Sequence, residues 1–155
     1  MKKATFAAIA FALIGCTPGA SAPPNAAGVV PAGAQVVTID VDLTLDPSGN
    51  VAAGFAGGYK ALATSVAVGT YVRFMNSDGF SHTATSISSA TFPSAYPFTS
   101  AALTQTGSTL SGGFSSGNLT AGSMSAPVLA DAPGRYIFGC FYHYGTPMRA
   151  ELDVH

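Results

Sequence analysis

Nine residues near the C-terminus, Cys140-Phe-Tyr-His143-Tyr-Gly-Thr-Pro-Met148, constrain this chain more than any other stretch. They put a thiol, an imidazole and a thioether in one short loop. Thiolate and thioether are soft ligands, imidazole is borderline, and copper is the metal that suits all three. Two imidazoles, one thiolate and a long, weak axial Met make the blue-copper donor set, so the loop lacks one His. His82, in Phe74-Met-Asn-Ser-Asp-Gly-Phe-Ser-His82, is the candidate for it.

Strand parity tests that set independently. Tyr136, Phe138 and Cys140 fall on one face of the run leading into the loop, so the thiol points with the aromatics toward a core. Leading out, Met148 shares parity with Ala150, Leu152 and Val154, while Arg149, Glu151 and Asp153 are expected to face water. Upstream, Val37, Ile39, Val41, Leu43 and Leu45 alternate with Thr38, Asp40, Asp42 and Thr44, the period of a half-buried strand. Asp46-Pro-Ser-Gly-Asn50 reads as the turn that ends it. Further strands are expected over residues 51–56, 64–68, 70–76, 124–129, 134–140 and 149–154, with Val72 and Phe74 opposed to Tyr71 and Arg73. Residues 84–125 are rich in Ser, Thr, Gly and Ala and read as a loop-rich insertion. Several short strands, turn signals and no amphipathic helical window predict an all-β Greek-key β-sandwich.

The constellation Cys-x-x-His-x-x-x-x-Met with an upstream Asn76-x-Asp78-x-x-x-His82 resembles the cupredoxins, with the spacing of the plastocyanin and pseudoazurin branch. The lead-in Tyr136-x-Phe138-x-Cys140 and the segment Phe114-Ser-Ser-Gly-Asn-Leu119 are also similar to that family, and the likeness extends over residues 35–155. It implies one mononuclear type 1 copper per chain, held by His82, Cys140, His143 and Met148, and a one-electron carrier rather than an enzyme. It also implies that electrons pass through the solvent-side edge of His143, framed by Phe141, Tyr142, Tyr144 and Pro147. Thr83 stands where plastocyanins carry an Asn that braces the thiolate loop, and Gly139 stands where they carry a Tyr before the Cys.

At the other end, Lys2 and Lys3 precede an apolar run, residues 4–15, too short to span a bilayer and suited to a secretory signal. Leu13-Ile-Gly-Cys16 resembles a bacterial lipobox, which would make Cys16 an acylated first residue; Ala20-Ser21-Ala22 offers ordinary cleavage instead. Residues 1–22 are thus the signal and lipobox region, 17–34 a flexible Pro/Ala/Gly/Ser tether, and 35–155 the copper domain. The expected location is the bacterial cell envelope, as a lipid-anchored protein facing the periplasm or exterior, or otherwise as a soluble periplasmic one.

Charge narrows the partners. Without Lys2 and Lys3 the 6 basic residues become 4 against 7 acidic, a net charge of −3, which gives no footprint for nucleic acid. The partners expected are redox proteins that meet a monomer through apolar contact near His143. An acidic face around Asp40 and Asp42 is the alternative. With Cys16 lipidated or removed, Cys140 stands alone in an oxidising compartment, and ligation accounts for it. Thioether is a poor ligand for zinc. The 4 methionines are dispersed and do not form the exposed clusters expected of a copper-delivery protein, the competing reading along with storage or sensing. Only 3 histidines exist, too few for the second copper cluster of an oxidase.

Overall fold

The computed structural model describes residues 28–44 and 49–155. Cys16, the signal region, tether residues 17–27, Leu45 and residues 46–48 of the expected turn lie outside them. Among the described residues no helix is long and apolar enough to cross a membrane.

Among the described residues the fold has eleven strands and one 3-10 turn. A three-stranded sheet has the order β1 (Val36–Val41), β5 (Tyr71–Asn76), β9 (Val128–Leu129), with β1 parallel to β5. The larger sheet has the order β4 (Ala63–Val66), β11 (Arg149–Val154), β10 (Gly134–Gly139), β6 (Thr85–Ile87), β8 (Ser115–Ser116), β7 (Gln105–Thr106). A short hairpin of β2 (Gly49–Val51) and β3 (Gly54–Ala56) stands apart. The expected all-β Greek-key sandwich is present.

Its core lies between the two sheets. Ile39, Val41, Val72 and Phe74 come from one sheet and Val66, Phe138, Leu152 and Val154 from the other, all buried. Phe74 stacks on Phe114 at 5.5 Å, and Phe138 meets both Phe74 and Tyr59 edge to face. Each such ring removed from water contributes on the order of 2 to 3 kcal/mol.

Three expectations are corrected. β1 stops at Val41, because the buried carboxylate of Asp42 turns the chain by accepting from the Thr44 amide (2.7 Å) and hydroxyl (2.8 Å). Residues 51–56 form no single strand but the end of the hairpin's first arm, its turn and its second arm. Glu151, expected in water, is 4% exposed. Its two oxygens accept the backbone amides of Ala52 and Ala53, so the hairpin sits on the outer face of β11 and supplies the donors that a buried carboxylate requires.

The segment after β6 covers the neighbouring outer face of β10. Phe98, Ala102 and Tyr144 form a second buried cluster, with Ile87, Phe92 and Phe141 packed against it. Gly139 makes room for it: a Cβ there would lie 3.0 Å from the Tyr144 ring and 3.4 Å from Phe98. β10 is therefore buried on both faces from Ile137 onward, which alternation alone would not predict. The loop-rich insertion contains β6, β7, β8 and the 3-10 turn Ser100–Leu103, whose Thr99 side chain caps it by accepting from the Ala101 amide.

Candidate metal centre

The loop after β10 is closed by its own backbone. Cys140 N donates to Met148 O at 3.0 Å, and the amides of Thr146 and Met148 both converge on His143 O at 3.0 Å. Cys140 and Met148 therefore sit side by side at the base, both fully buried, with His143 at the turn. His82 arrives from across the sandwich, its backbone paired in both directions with Leu119. The Phe114 to Leu119 segment thus positions the fourth residue without supplying a ligand.

Three donor atoms converge. Cys140 Sγ lies 3.7 Å from His82 Nδ1 and 3.8 Å from His143 Nδ1, and the two ring nitrogens are 3.1 Å apart. The point equidistant from three such corners lies about 2.1 Å from each, the length of a first-row metal–imidazole bond and a little under a metal–thiolate bond. Neither a core of satisfied polar groups nor a disulfide accounts for this triangle. A thiolate, two imidazoles and an adjacent thioether are the donor set that copper takes in a trigonal site with a weak axial Met, so the residues fit that metal.

His82 and Cys140 are each held by a second residue. His82 Nε2 donates to Asp78 Oδ2 at 2.8 Å, which turns the Nδ1 lone pair toward the triangle. Asp78 is itself fixed by the amides of Leu43 and Phe80. Burial alone would raise the Asp78 carboxyl, but His82 and the amides of Leu43, Phe80 and Gly79 outweigh it and hold it below the usual range. Asp78 both closes the turn, through the Phe80 amide, and orients the His82 ring. Asn76, fully buried, fastens the same turn, donating to the carbonyls of Phe80 and Leu119 and accepting from Asp78 N.

Thr83 takes the place of the bracing Asn. Its amide points at Cys140 Sγ from 3.4 Å and its hydroxyl accepts the Phe141 amide at 2.8 Å, so both sides of the thiolate loop are tied to the His82 segment. Tyr59 secures Thr83 in turn by donating its hydroxyl to the Thr83 carbonyl. Burial pushes the Cys140 thiol up, against the pull of the Thr83, Tyr142 and His143 amides. Burial, then the neighbouring His82, lowers His143, with Asp78 opposing. At neutral pH the metal-free site thus presents a neutral His143 imidazole and a protonated thiol whose proton a metal must displace.

Gly58 was not picked out by sequence reasoning. A Cβ on it would lie 2.3 Å from Met148 Cγ and 3.0 Å from Met148 Cβ, and its φ is +76°. Only glycine combines that backbone with that approach. The signal was the Gly57-Gly58 pair, legible as a break in a strand but not as room for a ligand.

Around His143 the framing residues differ in exposure. His143 is half-buried while His82, Cys140 and Met148 are fully buried, so it alone of the four reaches toward solvent. Tyr142 is 43% exposed and its hydroxyl donates to Asn118 Oδ1; Phe141 and Pro147 are half-buried. Tyr144 is corrected. It is 3% exposed, its hydroxyl donates to Pro93 O and its ring packs on Phe98, so it anchors the loop from beneath and offers no surface. Nor do Asp40 and Asp42 form an open acidic face: Asp40 pairs with Lys60 at 3.5 Å and Asp42 is turned onto Thr44.

No family model matches this chain, and no curated protein matches it. Solved structures do. The chain is similar to auracyanin B, 20% identical over 83% of this chain and 94% of that one, with a TM-score of 0.51. It is also similar to a purple cupredoxin from Nitrosopumilus maritimus (19% identical, 76% and 98% covered, TM-score 0.48) and to a mutant fern plastocyanin (16% identical, 77% and 100% covered, TM-score 0.47). The likeness to auracyanin B is one of fold.

Proposed function

We propose that this chain is an exported one-electron carrier with one type 1 copper, which His82, Cys140, His143 and Met148 would hold. The observation that carries the reading is the triangle of Sγ and two Nδ1 atoms, buried on two corners and half-buried on the third. Copper would supply the change of oxidation state. The protein supplies rigidity: Asp78, Thr83 and Gly58 fix the donors from outside, so little has to move when one electron enters or leaves. Nothing in this arrangement opens a coordination position for a substrate, which favours a carrier over an enzyme. Absorption spectra after adding Cu(II) test it. An intense thiolate-to-copper band that bleaches with reductant is expected, and a colourless copper complex would overturn it.

Electrons would enter and leave through the half-buried edge of His143, beside Tyr142, Phe141 and Pro147. From Gly79 to Ala130 and from Tyr136 to Met148 the sequence contains no Asp, Glu, Lys or Arg. Partners, taken to be redox proteins, would therefore dock by apolar contact with little electrostatic steering. Association rates should change little across an ionic-strength series, and a charge placed at Pro147 should slow electron transfer without removing copper. A steep salt dependence would point to a charged docking face instead.

We further propose that acylated Cys16 anchors a monomeric copper domain to the envelope through the tether, the chains of a bacterial lipoprotein holding it firmly where a single chain would not. Detergent-dependent solubilisation and the mass of a lipidated Cys16 peptide are expected; a mature N-terminus at Pro23 would replace this with a soluble periplasmic protein.

A further inference from the structure

Arg149 is the cation set into the ligand end of the sandwich, and it is placed unusually. It follows Met148 directly, and its backbone is pinned to Gly57 in both directions, at 2.8 Å and 2.9 Å. Its guanidinium carbon lies 4.7 Å from the Tyr144 ring centre and 5.3 Å from that of Phe92. No carboxylate comes within ion-pair distance among the described residues, where the ion pairs are Lys60 with Asp40 and His82 with Asp78. The acid on the same face of β11, Glu151, has both oxygens engaged by Ala52 and Ala53. Arg149 Nε is buried and has no hydrogen-bond partner.

Packing does not require this. A half-buried guanidinium held by aromatic faces gains from them, yet leaves a donor unpaired, where a Met in the slot would leave none. What such a Met lacks is the permanent charge.

We propose that Arg149 sets the redox balance of the copper site by favouring the reduced metal. The inference rests on the copper-carrier reading above. Reduction takes one electron from a redox partner and breaks no bond: a Cu(II)–thiolate unit with neutral imidazoles and thioether carries one positive charge, and its Cu(I) form carries none. A fixed positive neighbour repels the first and is indifferent to the second, so it raises the equilibrium constant for reduction. The uncharged run Tyr136 to Met148 puts no second charge in the ligand loop, and of the nearby carboxylates Asp78 is engaged by His82. Glu151 acts in the opposite sense from one strand repeat farther along.

Charge and packing separate by substitution. Midpoint potentials, together with dissociation constants for Cu(I) and for Cu(II) measured by competition with chelators, should be compared for the wild type, Arg149→Lys, Arg149→Gln and Arg149→Met. Removing the charge should lower the potential and shift the ratio of the two constants toward Cu(II) by roughly threefold to tenfold, the scale of one charge acting through an effective dielectric constant of about 20. Arg149→Lys should hold the wild-type ratio while losing thermal stability with the stacked fork. Either charge-removing variant suffices if the other fails to fold. An unchanged ratio in them, or an equal shift in Arg149→Lys, overturns the proposal. A wild-type protein without a thiolate-to-copper band would instead overturn the carrier reading.

Discussion

Asp78 Oδ2 sits 2.8 Å from His82 Nε2, four residues away along a tight turn, and so decides which ring nitrogen of His82 is free. A donor His whose outer nitrogen is held by a carboxylate is oriented before any metal arrives.

Asp78→Ala should therefore weaken copper binding by about tenfold to a hundredfold while leaving the thiolate band in place once the site is saturated. Chelator competition followed by absorbance checks this. Asp78→Asn, which can still accept from Nε2, should recover most of the loss; equal affinity for the wild type and the Ala variant would show that the turn alone orients the ring.

Cys140→Ser should abolish the visible band, which requires the thiolate. Met148→Leu should keep it and move the potential, since the axial bond is long and weak. Colour surviving in the Ser variant would reassign the roles, as would complete loss of copper in the Leu variant.

Gly58→Ala should act on copper from the outside. Its Cβ would drive into Met148 Cγ, so the thioether must retreat, and the φ of +76° adds strain. The expected outcome is a shifted potential and absorption ratio, with a stability loss of about 1 to 3 kcal/mol read from urea unfolding of the metal-free protein. A spectrum and potential identical to the wild type would mean that Met148 is not a ligand.

The metal-free protein should lose stability as pH falls from neutrality. His143 is held below its ordinary value in the fold, so below about pH 6.5 the unfolded chain takes up a proton that the fold refuses, and stability drops until the lowered folded value is reached. Asp78 and Asp131, both held below the usual carboxylate range, stabilise above about pH 3.9 and give that up only on further acidification. Urea midpoints from pH 7.5 to 5 should fall steadily, whereas His143→Ala should flatten that limb.

The ligands were legible because their chemistry is rare and their spacing short: Cys140, His143 and Met148 share one loop, and parity alone turned both sulfurs inward. What escaped was whatever depended on the second layer over the larger sheet. Glu151 alternates as a surface residue would, and its burial follows from a hairpin whose two free amides happen to meet it. Tyr144 looks like a surface aromatic until Gly139 opens a slot beneath it. Residues 84–125 carry few apolar side chains, and Phe92, Phe98 and Ala102 find their partners only in three dimensions. The roles of Thr83 and Gly58 required distances, which spacing does not encode.

His82 and Cys140 are 58 positions apart, and nothing covalent joins them except the chain between. A metal bound by both is a cross-link. It closes a loop containing β6 to β10 and, of the second cluster, Ile87, Phe92, Phe98 and Ala102, and a cross-link of that span removes several kcal/mol of freedom from the unfolded chain. Copper should therefore protect residues far from itself. Proteases that nick the Ser- and Gly-rich stretch in the metal-free protein would meet a closed ring in the loaded one, and the copper state of the protein would be readable from its digestion pattern alone.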